Sequence, residues 1–293
     1  MIRDSFYQHI QLSKRYSAHT VAAYKSDLNQ FGEYITNAYG ITSDEEVTYG
    51  MIRAWLASLI DEGLASRSVN RKLSSLKAYF RFLLKEGLRS DNPVSKASSL
   101  SIPSRVPVFA SVAEMETALH PAGVTDTFPM HRDMLVLEIL YCTGIRLAEL
   151  LHLRLQDIDR SAQTIKVTGK RNKQRIIPVT RQLLKLMDDY LKERELVVKP
   201  GVLEIIVTDQ GKKAYPVFIY RKVKHYLTLA GVRGVKSPHV LRHTFATHML
   251  NEGADLNAIK ELLGHASLAA TQVYTHNSIE KLKSIYKLAH PRA

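Results

Sequence analysis

Apolar residues recur every three or four positions through most of the first hundred residues, a period that leaves room for little besides packed helices. Val21, Tyr24, Leu28, Phe31 and Ile35 mark one stripe in 17–38. Met51, Ile52, Trp55, Leu56 and Leu59 mark a second, and Val69, Leu73, Leu76, Phe80 and Leu83 a third in 66–86. Gly63 and Gly87 stand where the last two helices should stop. The pattern breaks in "DNPVSKASSLSIPSRVPVFAS", 91–111, where Pro93, Pro103, Pro107 and six serines show no period and read as a linker. Beyond it the chain is again mostly helical, with one interruption, "TIKVTGKRNKQRIIPV", 164–179. Two β-rich runs there flank a polar, glycine-containing turn, which is a hairpin signal. The expected organisation is a helical domain over 1–92, a linker over 93–109 and a second domain over 110–293, mainly α with a small β-hairpin or sheet.

Charge narrows the partner. The 293 residues hold 41 Lys and Arg against 28 Asp and Glu, a net +13 concentrated after residue 100. A fold needs no such surplus, so it suggests an anionic partner, nucleic acid ahead of a membrane surface. In the third helix Arg67, Arg71, Lys72, Lys77 and Arg81 are expected to face away from the apolar stripe, as DNA contacts or as a solvated face. In the hairpin, Lys166, Lys170, Arg171, Lys173 and Arg175 fall within ten residues that contain no acid. Such a tip can reach phosphates in a DNA groove, or be a solvated turn. Cys142 is the only cysteine, so no internal disulfide forms, and its apolar surroundings predict a core position. The N-terminus lacks a signal peptide's apolar run and no stretch reaches the length of a spanning helix. A cytoplasmic protein without membrane partners is expected.

Three segments carry chemistry. In "YCTGIRLAELLHLRLQDID", Thr143-Gly144 read as the start of a helix with Arg146 in its first turn. The helix dipole favours anions there, so a cation at that place suits a phosphate better than a structural role. In "SPHVLRHTFATHML", Pro238 starts a helix that carries His239, Arg242, His243 and His248. His239 and His243 could share a helical face as metal ligands, but Val240 occupies the position where a zinc-protease helix needs Glu, and Arg242 would sit beside the metal. Metal-free phosphoryl transfer fits better. The charge that develops on a five-coordinate phosphorus is stabilised by fixed Arg, Lys and His donors, and His239 and Arg242 at i and i+3 project from one face. His243 and His248 are then expected to hydrogen-bond within the domain. The third segment, "LLGHASLAATQVYTHNS", holds His265 and, nine residues on, Tyr274.

Together these residues resemble the tyrosine recombinase (phage integrase) family, and within it most closely the bacterial Xer site-specific recombinases. The family pattern has arginine in T-G-x-R-x-x-E-L, lysine in a β-hairpin, H-x-x-R, then L-G-H with a tyrosine nine residues later. Here these are "TGIRLAEL" with Arg146, "TGKRNKQR" with Lys170, "HVLR" with His239 and Arg242, and "LGH" with His265 followed by Tyr274. Lys173 competes with Lys170, and the family's G-K-x-x-K-x-R pattern favours Lys170. The resemblance implies a SAM-like core-binding bundle and a C-terminal catalytic domain closing as a C-shaped clamp on double-stranded DNA. It implies a Tyr274 nucleophile, His239 as general base, Arg146, Arg242 and His265 as phosphate ligands and Lys170 as acid, with no metal or cofactor. It also implies a homo- or hetero-tetramer on two duplexes, with a paralogous recombinase and a DNA translocase as candidate partners. Resolution of chromosome or plasmid dimers, in support of chromosome partition and cell division, is the expected role. A mobile-element integrase is the alternative, ahead of a type IB topoisomerase or a non-catalytic DNA-binding protein. Ile279, Leu282, Ile285 or Tyr286, and Leu288 or Ala289 recur at helical spacing after Tyr274. The family resemblance implies that this tail docks on a neighbouring protomer, whereas its own domain is the simpler support.

Overall fold

Helices carry most of residues 2–85, as the apolar period requires. After α1 (Ile2–Gln8) and a π-helical turn (His9–Ser13) come α2 (Ala18–Tyr39), α3 (Tyr49–Asp61) and α4 (Ser66–Lys85). A computed structural model describes residues 2–14, 16–102, 108–121, 123, 127–169, 172–264 and 276–292, without the side chains of 276–281. The chain divides into two compact units, Met1–Arg105 and Val106–Ala293. In the first, Leu28, Phe31 and Ile35 of α2 meet Ile52, Trp55 and Leu59 of α3 and Val69, Leu73, Leu76 and Phe80 of α4. Phe31 and Trp55 pack edge to face with ring centroids 5.0 Å apart. The Ser17 hydroxyl accepts the Thr20 amide and caps α2. Gly63 and Gly87 follow α3 and α4 with positive φ, where side chains are disfavoured. Val94 and Ala97 are buried in the same core, and the Asn70 side chain bonds both the amide and the carbonyl of Leu100.

One charge of α4 departs from expectation. Lys72 does not face solvent: it is buried, and its Nζ donates to Asp27 Oδ1 at 3.1 Å and to Gln30. Asp27, fully buried on α2, also accepts from Arg71 and from Ser75 Oγ. A buried carboxylate must be paired, and α4 supplies the cations for it. Lys72 therefore holds the bundle together and is not available to a DNA backbone. Arg67, Arg71 and Arg81 are exposed and Lys77 is half-buried.

The second unit contains α5 (Val112–Leu119), α6 (Phe128–Thr143), the single-turn α7 (Leu147–Leu150), β1 (Ile158–Asp159), β2 (Thr164–Thr168), β3 (Gln174–Pro178), α8 (Arg181–Val197), α9 (Pro216–Leu229), α10 (Pro238–Asn251), α11 (Leu256–Leu263) and α12 (His276–Ala289). The hairpin forms where expected, with Ile165 opposite Ile177 and Thr168 opposite Gln174, and β1 adds an antiparallel edge that is too short to show in the sequence. α6 runs through the interior: Leu135 to Cys142 are buried all round. A helix without a polar face belongs in a core, and α8, α9 and α10 pack around it. Pro238 opens α10, as the sequence predicts, and the Ser237 side chain caps it by accepting the Val240 amide. Among the described residues no helix is long and apolar enough to cross a membrane.

The C-terminal helix packs on its own domain in this structure, the simpler of the two supports open to its apolar stripe. Leu282, Tyr286 and Ala289 are buried in the domain core. His290 stacks on Tyr286 and bonds the Tyr141 carbonyl at 3.3 Å, and Arg292 reaches the buried Glu138 at 3.0 Å and Glu116 at 3.2 Å. Deleting residues 278–293 should therefore destabilise the monomer by roughly 3–5 kcal/mol, read as a lower melting temperature, since the deletion uncovers apolar side chains and strips Glu138 of its cation. An unchanged transition would show that the tail adds nothing to its own core. Burial pushes the His290 imidazole down to about 4. The unfolded chain thus binds the proton first, and this group's contribution is complete above about pH 6.5 and falls as the pH drops toward 4.

Candidate active site

The site begins where α6 stops. Thr143-Gly144 end a helix and do not start one: Gly144 caps α6 in the left-handed conformation at φ 58. A Cβ at Gly144 would lie 2.5 Å from Phe245 Cδ1 and 2.8 Å from Leu263 Cδ2, so only glycine lets the chain turn this close to α10 and α11. Arg146 is accordingly the N-cap residue of α7, ahead of the first turn in which the sequence placed it. Its amide donates to Glu149 Oε2 at 2.7 Å, Nη1 to Glu149 Oε1 at 2.9 Å and Nη2 to the Gly264 carbonyl at 3.1 Å. About a third of its side chain, 34%, remains exposed.

Arg242, on the first turns of α10, is buried. Its Nη1 donates to the Gly144 carbonyl at 2.6 Å and its Nη2 to the Leu263 carbonyl at 2.7 Å. Burial first, then the charges of Arg146 and Arg175, push this guanidinium down to about 10 against the opposing pull of Glu149. Arg175 is the second correction. Expected on the hairpin surface as a DNA contact, it is buried, with Nη1 and Nη2 each 2.8 Å from a Glu149 oxygen and Nε 2.6 Å from the Leu262 carbonyl. Burial raises the Glu149 carboxyl, but the hydrogen bonds and charge of Arg175 and those of Arg146 outweigh it and hold the group below the ordinary carboxylate range. Two guanidinium groups thus bind the Glu149 carboxylate, and the third, of Arg242, lies within its electrostatic reach. The surplus of positive charge, with Arg146 open on one side, suits an anionic ligand.

The other expected residues divide. His239 is exposed on α10, three positions before Arg242. His248 is buried with Nδ1 2.9 Å from the Tyr141 hydroxyl, in line with an internal hydrogen bond. His243 is half-buried and meets the Phe109 ring, and burial, then His239, lower its proton affinity. Among the described residues no three His, Cys, Asp or Glu side chains converge as a metal-ligand set. Lys166 and Lys173 are exposed. Lys170, Arg171, His265 and Tyr274 lie outside the described residues. Their described neighbours border the arginine cluster. A Cβ on Gly169 would come 3.2 Å from Glu149 Oε1, and the Gly264 carbonyl accepts from Arg146. Glu149 and Arg175 are the members of the cluster that sequence reasoning did not place there. A signal existed for Arg175: period-two alternation puts it on the same inward face of β3 as Ile177.

This arrangement of a helical bundle, a mostly helical second unit with a hairpin, and clustered arginines matches known proteins along its length. Residues 113–281 match the phage integrase family and residues 4–87 the phage integrase N-terminal SAM-like domain, so the chain belongs to the phage integrase family and is a tyrosine site-specific recombinase. It is 36% identical to the tyrosine recombinase XerC of Chlorobaculum parvum, over 99% of this chain and 94% of that protein. It is equally 36% identical to the tyrosine recombinase XerD of Proteus mirabilis, over 100% of this chain and 93% of that one. Among solved structures, the pre-cleavage complex of the XerH site-specific recombinase bound to difH substrate superposes with a TM-score of 0.68 at 25% identity, covering 91% of this chain and 79% of that one.

Proposed function

We propose that this recombinase breaks DNA with Tyr274 and holds the scissile phosphate with Arg146 and Arg242. The carrying observation is that these two arginines bond successive carbonyls, Gly264 and Leu263, at one end of α11, with Arg146 left partly open. The phenol oxygen of Tyr274 attacks phosphorus, the bond to the 5′-oxygen breaks, and a 3′-phosphotyrosyl ester remains. A phenol ionises at about pH 10, so its proton needs an acceptor, and His239 takes it. Lys170 protonates the departing 5′-oxygen, and His265 adds a hydrogen bond to the nonbridging oxygens. The ester conserves the bond energy, so the 5′-hydroxyl of a partner strand reverses the step without a cofactor. Arg67, Arg71, Lys77, Arg171 and Lys173 contact the DNA backbone in this reading, while Lys72 and Arg175 are withdrawn from that role. The joint between the two units falls within 93–109.

The biological role we infer is Xer-like resolution of chromosome or plasmid dimers in the cytoplasm by a tetramer on two duplexes, with a paralogous recombinase and a DNA translocase as partners. Similarity to XerC and XerD relatives over nearly the whole chain supports it. Incubating the protein with sheared genomic DNA and sequencing the covalently trapped fragments tests it. One dominant chromosomal or plasmid site is expected. Fragments confined to the ends of a mobile element would favour an integrase, and fragments without a shared sequence would favour a topoisomerase.

A further inference from the structure

Three consecutive carbonyls at the C-terminal end of α11 are held by three different arginines. Arg175 Nε takes Leu262 at 2.6 Å, Arg242 Nη2 takes Leu263 at 2.7 Å and Arg146 Nη2 takes Gly264 at 3.1 Å. The last carbonyls of a helix lack intrahelical donors and carry the negative end of its dipole, so cations collect there. Arg146 and Arg242 are the phosphate ligands of the proposed reaction. Arg175 cannot act that way, because its guanidinium is committed to Glu149 on one edge and to α11 on the other. Yet it meets the same Glu149 oxygens that bind the Arg146 amide and Nη1. Both glycines beside the pair are close: a Cβ on Gly264 would come 3.1 Å from Arg175 Cδ, and one on Gly169 would come 3.2 Å from Glu149 Oε1.

We infer that Arg175 is a positioning residue for strand cleavage, which acts by occupying Glu149 and fixing the end of α11 so that Arg146 can turn toward the phosphate. The inference rests on the reading of Arg146 as a phosphate ligand. The physics is a competition for one carboxylate. With Arg175 bound to both Glu149 oxygens, the carboxylate is largely satisfied, and Arg146 can exchange its weaker contacts for a phosphate oxygen. Without Arg175, Glu149 keeps a full negative charge for Arg146 and draws it inward. Lysine cannot replace arginine here, since an ammonium is a point donor and cannot span two carboxylate oxygens and a carbonyl on the far side.

The test uses the full-length protein on a suicide substrate under single-turnover conditions. Arg175→Lys should bind the site within about twofold of the parent and form the covalent complex at least about tenfold more slowly, a loss of the size that misplaced catalytic groups cause. In an Arg146→Ala background the same substitution should cost less than about twofold, because the group through which it acts is gone. Equal losses in the two backgrounds would overturn the positioning role, and so would a parent-like rate for Arg175→Lys. An Arg146→Ala variant that cleaves at the parent rate would remove the phosphate-ligand reading underneath. If Arg175→Lys shows no cooperative melting, Glu149→Gln replaces it: the volume and one acceptor oxygen remain while the shared charge is lost. With that charge gone nothing draws Arg146 inward, so Glu149→Gln should form the covalent complex within about twofold of the parent rate or faster, and a loss of about tenfold or more would overturn the competition.

Discussion

Replacing Tyr274 with phenylalanine should leave binding to a recombination site unchanged and eliminate the covalent protein–DNA adduct. Phenylalanine keeps the size of the ring, and only the oxygen proposed to attack phosphorus is lost. Removing the nucleophile from a covalent mechanism leaves the phosphate ligands nothing to assist, so the cleavage rate should fall by at least about 10⁴-fold. Gel shifts on a single site would report the unchanged affinity, and denaturing gels the missing adduct. A Tyr274→Phe protein that still carries DNA through SDS would move the nucleophile to another side chain.

Replacing Lys170 with alanine should slow cleavage by about 10²–10⁴-fold, the usual worth of a positioned general acid. An alkoxide is a poor leaving group, and the developing charge on the 5′-oxygen is quenched by the ammonium proton. Sulfur at that bridging position changes the demand, because a thiolate leaves without a proton. A 5′-bridging phosphorothiolate substrate should thus restore most of the rate to Lys170→Ala while doing little for Tyr274→Phe. Lys173 is the competing hairpin lysine, exposed just beyond the turn. If sulfur rescues Lys173→Ala and not Lys170→Ala, the acid is Lys173.

The helices were legible because their signal is local. Leu28, Phe31 and Ile35, or Leu73, Leu76 and Phe80, reveal their buried face by spacing alone, and the structure buries each of them. The hairpin was legible for the same reason, since two β-rich runs and a glycine turn lie within sixteen residues. The start of α10 was announced by Pro238. Long-range pairing hid the rest. Lys72 resembles any surface lysine until Asp27, on another helix, is known to be buried beneath it. Arg175 looks like one more cation of a basic hairpin, and only Glu149 and the end of α11 bring it inside. Gly144 reads equally as the beginning or the end of a helix, and its close approach to Phe245, a hundred residues later, marks it as an end. The tail shows an apolar stripe but not which copy of the domain receives it. The candidate site was more legible than its supports. Arg146 and Arg242 carry motif spacing, whereas the role of Glu149 follows from contacts that no spacing encodes.

The chemical identity of the DNA–protein bond tests the account most directly. The full-length protein would be trapped on a nicked suicide substrate, digested with trypsin and nuclease, and the nucleotide-bearing peptide fragmented by mass spectrometry. The residual nucleotide should sit on the peptide spanning 261–281, on Tyr274 and not on His265 or His276, joined through the 3′-phosphate by an acid-stable phenolic ester, with a free 5′-hydroxyl on the released strand. An acid-labile bond to histidine, an attachment outside 261–281, or a 5′-phosphate linkage would contradict the mechanism.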